Sequence, residues 1–428
     1  MNFNDALEKA TQLAQPRLPD LKEHVFLVRD LHGRIRLLLK KRRDHKSPFY
    51  PHIQALIQDI TQALGTYAYP AADLVMYRDD LTSIQLPDDG TSALLAANGS
   101  YKVCLHDRLL MGAEWSARPP SGTPTTRRFT LFSMKGGVGR STTATILAWH
   151  LAQKDRRVLV FDLDLESPGV GATLLGPDLP RFGIVDWFVE DALGQGDAVL
   201  GEMVRQSALA TGSGTITVVP AFGSDTGDYL AKLGRAYLER GPTGHEPWPS
   251  RLKRLVEALE RQEAPEIVLL DSRTGLHDTS AALVLAMGAD TLMFAVDTPQ
   301  TWSAYGFLFR HWATHPDIEK FYERLWVVGA MVPDTEIAPY VEGLRDRAWT
   351  LFDETVYSAP RVVAERRGLP APVVDEDAGN HFPRAIYWQR GLMAFDPLAN
   401  WTNQFVTAAY QSFLAWFDRV LLEEPEAP

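Results

Sequence analysis

The distribution of apolar residues becomes regular from about residue 128 onward, where short hydrophobic runs recur at intervals long enough for a helix. Uninterrupted runs of this kind are typical of parallel strands buried on both faces of a sheet. We predict six strands: Phe129–Phe132, Arg157–Phe161, Thr215–Val219, Glu266–Leu270, Thr291–Val296 and Leu325–Val328. A helix near Ser141–Gln153 follows the first strand, and strands and helices then alternate. This pattern predicts a doubly wound, mostly parallel α/β domain whose ligand lies beyond the carboxyl ends of the strands.

The first part of the chain has a different pattern. Val25–Asp30 and Arg34–Leu39 are short apolar runs on either side of Leu31-His32-Gly33, which predicts a β-hairpin. Apolar residues recur at helical spacing in Pro51–Leu64, and Tyr101–Leu105 is a further candidate strand. We therefore predict a smaller N-terminal α+β module, and nothing in its sequence identifies a function.

A proline-rich segment separates the two patterns. Ala117–Thr126 contains three prolines, one glycine and several small polar residues, a composition typical of an extended linker. We predict an N-terminal module over residues 1–116, a linker over 117–127, the α/β domain over 128–422 and a frayed tail over 423–428.

The composition is that of a globular protein in a reducing compartment. Hydrophobic residues make up 45% of the 428 positions and charged residues 23%. The single cysteine, Cys104, excludes an internal disulfide framework and a cysteine-rich zinc site. The N-terminus has no secretory signal pattern, and no uncharged apolar stretch approaches the roughly 20 residues that span a bilayer. We expect a cytoplasmic protein without a membrane partner.

The net charge of −11 lowers the expectation of nonspecific nucleic-acid binding. The one dense basic cluster is Lys40–Arg43 with Lys46. We favour a solvated hairpin edge for this cluster over a contact with nucleic acid or an acidic partner.

The segment Phe129–Thr143 combines a strand, a glycine loop and the start of a helix. Its glycines allow successive backbone N–H groups to converge on phosphate oxygens, and the helix N-terminus adds its positive dipole end. Ser141 occupies the hydroxyl position that ligates Mg²⁺ in a Walker-type loop. The common pattern G-x-x-x-x-G-K-[ST] fails at two positions, because Met134 replaces the first glycine and Arg140 replaces the lysine.

Lys135–Thr142, with the sequence KGGVGRST, resembles the deviant Walker A loop K-G-G-x-G-K-[ST] of the ParA/MinD ATPases. The resemblance implies that Lys135 reaches the nucleotide of a partner subunit and that Arg140 contacts the β- and γ-phosphates. It implies that ATP is bound by Gly136, Gly137, Val138, Gly139, Arg140, Ser141 and Thr142. Arginine keeps the positive charge but replaces a compact ammonium with a planar fork, so we expect phosphate binding to survive and leave the hydrolysis rate open.

Two further strands end in aspartate. Asp162 and Asp164 follow the strand after the loop helix, and alternation puts both carboxylates on one side. Asp271 and Gly275 follow the fourth strand. By resemblance, these are the switch I and Walker B/switch II motifs of the family: Asp164 orients the attacking water, and Ser141, Asp162 and Asp271 hold Mg²⁺ directly or through water.

Three other features bear on the same resemblance. Arg273 stands where the family commonly has proline, and we favour a surface ion pair over a phosphate contact. Leu325–Asp334 should lead into the base pocket, but Gly329–Met331 replaces the asparagine of many relatives, so ATP over GTP follows from the resemblance only. The final helix, Trp401–Leu422, is expected to pack on the core rather than on a membrane. Its apolar stripe comprises Phe405, Ala409, Phe413, Trp416, Phe417 and Val420.

These observations favour a slow Mg²⁺-dependent ATPase that acts as a molecular switch. The resemblance implies a nucleotide-dependent homodimer, and the N-terminal module is expected to select an unknown protein partner. Three alternatives stay open: a nucleotide-gated adaptor with little turnover, a ParA-like partitioning ATPase that binds DNA nonspecifically, and an ATPase of a regulatory or defence operon. DNA binding stays possible, but the acidic net charge disfavours it.

Overall fold

The computed structural model describes residues 1–81, 93–109, 111–120, 122, 124–241, 244–313, 315, 317–358, 379–399 and 401–422. The chain divides into two compact units. The first unit is formed by Met1–Ala113, and the second comprises Glu114–Ala313 and Asp317–Pro428. The tail predicted over 423–428 lies outside the described residues. Within those residues, no helix combines the length and hydrophobicity needed to cross a membrane.

The first unit is a five-stranded mixed sheet with its strands in the order β3-β2-β1-β5-β4. The strands are β1 (Val25–Arg29), β2 (Ile35–Leu39), β3 (Val75–Tyr77), β4 (Ala93–Asn98) and β5 (Tyr101–Asp107). The helices are α1 (Phe3–Ala14), α2 (Leu18–Leu21) and α3 (Tyr50–Leu64). The predicted hairpin is confirmed, because β1 and β2 pair antiparallel with Phe26 opposite Leu38. The sheet face that carries Leu27 packs with the apolar faces of α1 and α3, and this forms the core of the unit.

The basic cluster of the first unit is neutralised locally. Lys41, Arg42 and Arg43 lie 3.9, 3.6 and 3.1 Å from the carboxylates of Glu23, Asp79 and Asp80. Because these cations already have acidic neighbours in their own unit, the cluster provides less attraction for phosphate than its sequence suggests.

The second unit is built on an eight-stranded sheet in the order β15-β14-β13-β6-β12-β7-β9-β8. Neighbouring strands are parallel except for the antiparallel pair β8 and β9. The strands are β6 (Arg127–Ser133), β7 (Arg157–Asp162), β8 (Arg205–Gln206), β9 (Thr215–Val219), β12 (Ile267–Asp271), β13 (Asp290–Ala295), β14 (Leu325–Val332) and β15 (Arg384–Tyr387). A separate small hairpin pairs β10 (Arg240–Gly241) with β11 (Gly244–His245). The predicted doubly wound, mostly parallel α/β fold is thus confirmed.

Helices cover both faces of this sheet, which explains why its strands are continuous apolar runs. They are α4 (Arg140–Gln153), α5 (Val170–Leu175), α6 (Ile184–Asp191), α7 (Gly196–Leu200), α8 (Tyr229–Ala236), α9 (Trp248–Glu263), α10 (Asp278–Ala281), α11 (Pro299–Trp312), α12 (Ile337–Glu354) and α13 (Asn403–Trp416). Two π-helical segments, Ala282–Ala286 and Phe417–Leu422, continue α10 and α13. The six predicted strands are all present, whereas the short edge strands β8 and β15 were not predicted.

The final helix packs on the sheet, as its sequence predicted. The ring of Phe417 lies 4.8 Å from that of Phe129, and the ring of Trp416 lies 5.6 Å from that of Trp326. One member of the predicted stripe departs from it: Phe405 is 36% exposed and lies over Gly391, a glycine beside β15.

Candidate functional site

The glycine loop lies at the carboxyl end of β6, between Ser133 and the first residue of α4. Gly137 and Gly139 have φ angles of 72° and 87°, in the left-handed region that favours glycine. The loop is fixed at its start, because the Ser133 hydroxyl donates to the carbonyl of Lys135 at 2.7 Å. The N–H of Gly275 donates to the Ser133 carbonyl at 2.9 Å, which ties the turn after β12 to the same point. The glycines thus lead directly into the N-terminus of α4, whose N-cap is Gly139.

The acidic strand ends lie side by side. Strand β7 pairs with β12 so that Asp162 and Asp271 are direct neighbours, and both side chains are buried. Asp271 Oδ2 accepts a 2.6 Å hydrogen bond from the Ser141 hydroxyl on α4. Asp162 Oδ2 accepts from the backbone N–H groups of Gly169 and Gly171 at 3.1 and 2.9 Å. The parallel register thus brings three predicted metal-site residues to one edge of the sheet.

The carboxylates of this edge resist ionisation. Burial raises the pKa of Asp162 to about 8, and the charge of Asp271 acts in the same direction. Burial raises the pKa of Asp271 to about 6, although the charge of Arg140 and the Ser141 hydrogen bond oppose the rise. Burial also raises the pKa of Asp164, against the opposing charge of Arg140. The site therefore holds several buried carboxyl groups, whose ionised form a nearby positive charge would stabilise.

Arg140 supplies part of that positive charge from inside the site. Its side chain is 8% exposed, and Nη2 lies 3.6 Å from Asp164 Oδ2. Lys135, at the other end of the loop, is exposed. The two cations of the loop thus have different environments, one facing the acidic cluster and one facing solvent.

Several buried polar atoms of the site have no hydrogen-bond partner among the described residues. They are Arg140 Nη1, Asp162 Oδ1, Asp164 Oδ1 and Asp271 Oδ1. Buried polar atoms in folded proteins are nearly always paired, so a group of orphaned atoms beside a glycine loop indicates a place for a polar ligand. In the described part of the chain, no group of three or more His, Cys, Asp or Glu residues is arranged so that it could hold a metal ion by itself.

A cavity of about 320 Å³ adjoins the loop on the side of β14 and β15. Its lining comprises Gly137, Val138, Gly139, Thr142, Met331, Ile386, Tyr387, Trp388, Gln389, Leu392, Met393 and Tyr410. Met331 lies near the end of β14, the strand expected to lead into the base pocket, and has a φ of 54°, which is unusual for a non-glycine residue. The aromatic and amide side chains contributed by Trp388 and Gln389 were missed from the sequence.

Arg273 forms the predicted ion pair, but not on an open surface. Its Nη1 lies 2.6 Å from Glu166 Oε1, and the two side chains are 32% and 23% exposed. The pair joins the loop after β12 to the loop after β7. Glu166 was not among the candidate residues, since nothing local in the sequence singles it out.

A strand, a glycine loop with a helix start, and two buried acidic strand ends together define a P-loop nucleotide-binding domain. Residues 129–270 match the family model of the CobQ/CobB/MinD/ParA nucleotide-binding domain. Over these residues the second unit is therefore similar to nucleotide-binding domains of the ParA/MinD type. The individual roles of Lys135, Arg140 and Asp164 in binding and hydrolysis stay predictions.

Comparisons with individual proteins cover parts of the chain. The cytosolic Fe-S cluster assembly factor CFD1 of Chaetomium globosum is 36% identical over 113 residues, which are 26% of this chain and 32% of that protein. This match thus spans about a third of the curated relative's length.

Two solved structures are similar over larger shares of the chain. A ParA family ATPase from Chlorobium tepidum is 17% identical and covers 52% of this chain and 81% of its own, with a TM-score of 0.38. Cobyrinic acid a,c-diamide synthase from Mycobacterium smegmatis, solved with an ATP analogue and magnesium, is 18% identical and covers 59% and 100%, with a TM-score of 0.37.

Proposed function

We propose that the second unit binds ATP with Mg²⁺, hydrolyses it slowly, and acts as a switch whose nucleotide state controls self-association and partner binding. The observation that carries this proposal is the set of orphaned buried atoms beside the glycine loop, on Arg140, Asp162, Asp164 and Asp271. A polyphosphate accepts hydrogen bonds from a guanidinium, and a hydrated cation donates them to carboxylates through its waters. Together these two groups would satisfy these four atoms.

The residues present fit magnesium bound together with a nucleotide. Mg²⁺ takes most of its ligands from water and substrate phosphates, and only one or two from protein. The Ser141 hydroxyl would be a direct ligand, whereas Asp162 and Asp271 would hold the metal's waters. When bound, Mg²⁺ would neutralise charge on the β- and γ-phosphates.

The chain's own groups would do the rest by positioning and electrostatics. Backbone N–H groups of Gly136–Gly139 and the N-terminus of α4 would hold the phosphate oxygens. Arg140 Nη1, which is buried and unpartnered, would donate to a phosphate oxygen. Asp164 would orient the attacking water through its unpartnered Oδ1.

The cavity next to the loop would hold the nucleoside. The indole of Trp388 offers a stacking surface for a purine, and Gln389 offers an amide that can pair with either adenine or guanine. Met331, which stands close to where many relatives have asparagine, contributes no base-reading hydrogen bond. Purine preference in this pocket would therefore come from stacking more than from hydrogen-bond readout.

Exposure of Lys135 supports the dimer part of the proposal, since its ammonium is open to a second copy. We do not extend the role of CFD1 in Fe-S cluster assembly to this chain. Such clusters are commonly held by several cysteine thiolates, and this sequence contains only Cys104, which is buried in the first unit.

A nucleotide-gated adaptor with little turnover is the second candidate, favoured by one observation. The carboxylate expected to orient water, Asp164, faces the guanidinium of Arg140 at 3.6 Å. A carboxylate held by an arginine is a weaker partner for water, so binding would persist while hydrolysis is slow.

Calorimetry and phosphate release test the two candidates together. We expect purified protein to bind Mg–ATP, to lose that binding in a Lys135→Ala/Arg140→Ala variant, and to keep it in a Lys9→Ala control on the exposed face of α1. Phosphate release above that of Asp164→Ala would support the switch, and equal rates would support the adaptor. Absence of Mg–ATP binding by the folded wild type would refute both.

A further inference from the structure

The two loops that carry the predicted switch residues are joined by one ion pair. Glu166 lies in the loop after β7, two residues beyond Asp164, and Arg273 lies in the loop after β12, two residues before Gly275. Their 2.6 Å contact is partly shielded, since the two side chains are only 32% and 23% exposed. Shielded pairs are screened less by salt and water than exposed ones, so breaking this pair has a larger effect than losing a typical surface contact.

A tyrosine from a third element forms a hydrogen bond with the same carboxylate. The Tyr237 hydroxyl, just after α8, donates to Glu166 Oε1 at 2.7 Å. Burial, together with this hydrogen bond, raises the pKa of Tyr237, so the hydroxyl stays protonated and remains a donor. The ring of Tyr237 lies 6.0 Å from that of His277, at the end of the loop after β12. Glu166 Oε1 therefore has two partners, Arg273 in the second loop and Tyr237, whose ring lies close to that loop.

Each end of the ion pair is also connected to the phosphate site. The charges of Glu166 and Arg273 both act on Asp164, in opposite directions. On the other side, Gly275 has a φ of 81° and donates its N–H to the Ser133 carbonyl at the start of the glycine loop. If a bound phosphate displaced either loop, the ion pair between Glu166 and Arg273 would therefore displace the other loop as well.

We infer that Glu166 and Arg273 are positioning residues that make the two loops respond to nucleotide as one unit, with Tyr237 fixing Glu166 in place. This inference rests on the proposed nucleotide binding. It assigns a structural reason to the arginine at the position where the ParA/MinD family commonly has proline: the arginine links the loops by a charge pair, which proline cannot form.

Hydrogen exchange with and without Mg²⁺ and a non-hydrolysable ATP analogue measures this coupling directly. In the wild type we expect the analogue to slow exchange in both loops, residues 163–169 and 272–277. In Arg273→Ala and in Glu166→Gln, we expect protection of 272–277 to fall by about tenfold while protection of 163–169 persists. A charge-reversed double variant, Glu166→Arg with Arg273→Glu, should recover much of the loss, which a merely structural role would not produce.

The control is Arg181→Ala, which removes an equally close but exposed pair with Asp225 in the same unit. It should leave the protection of both loops unchanged. If the analogue binds but the two substitutions have independent, additive effects on protection, this inference is wrong and the proposed function stands. Absence of any binding heat in the wild type would instead remove the proposed function, and this inference with it.

Discussion

Replacement of Asp162 by asparagine should change how the stability of the second unit depends on pH. The side chain is buried, and its Oδ2 accepts backbone N–H groups from Gly169 and Gly171. Asparagine keeps the shape and a carbonyl acceptor for those donors but cannot ionise. The substitution therefore removes one buried titration and little else.

The magnitude follows from the difference in pKa between the folded and unfolded chain. Asp162 titrates at about 8 when folded, against an ordinary value of 3.8. Between these values the folded protein holds one proton more than the unfolded chain, so its free energy of unfolding falls as pH rises, by about 1.4 kcal/mol per pH unit. From pH 5 to pH 7, we expect the wild type to lose roughly 2.7 kcal/mol relative to Asp162→Asn. The loss levels off above the folded pKa.

Urea unfolding at pH 5, 6 and 7 without nucleotide measures this difference. All eleven tryptophans lie at position 115 or later, so tryptophan fluorescence reports the second unit by itself. Comparing the two proteins cancels the contribution of titrating groups that do not interact with Asp162. Parallel pH profiles for wild type and Asp162→Asn would refute the argument that a buried, proton-retaining carboxyl lies at this strand end.

Other substitutions address the loop and the cavity. Arg140→Met should weaken Mg–ATP binding about 10- to 100-fold in calorimetry, since a charge-assisted hydrogen bond is worth about 1.5–3 kcal/mol, whereas Arg140→Lys, which keeps the charge, should weaken it less. Gly139→Ala should lower the free energy of unfolding by about 1–2 kcal/mol in urea titrations, because its φ of 87° is strained for alanine. Trp388→Ala should weaken ATP and GTP about tenfold and leave tripolyphosphate binding unchanged; equal losses for all three ligands would contradict a stacking role.

The strands of the second unit could be predicted because their signal is local. A buried parallel strand is a continuous apolar run, and an aspartate directly after it lies at the carboxyl edge whatever the rest of the chain does. The adjacency of Asp162 and Asp271 then follows from two such strands being neighbours. The sequence signal of the glycine loop is local as well, so its position between β6 and α4 could also be predicted.

The features that were missed depend on contacts between distant parts of the chain. Strand β15 has four residues, of which only Ile386 is buried, so no run or alternation marks it. The residues after it reach the cavity only because β15 pairs with β14. Likewise, Tyr237 meets Glu166 across 71 positions, and no spacing rule connects them. Local sequence patterns determine individual helices and strands, whereas contacts between distant side chains depend on how those helices and strands pack.

The arginine in the glycine loop is better suited than lysine to an edge that carries several buried carboxylates. A guanidinium presents its N–H groups in a fixed plane, so one nitrogen can face an acid while another points elsewhere. Arg140 has this arrangement, with Nη2 near Asp164 and Nη1 buried without a partner. A lysine ammonium is a single compact charge, for which Asp164 and a phosphate would compete. The departure from the family's loop therefore fits a site in which one cation has to offset a carboxylate and receive a phosphate at the same time.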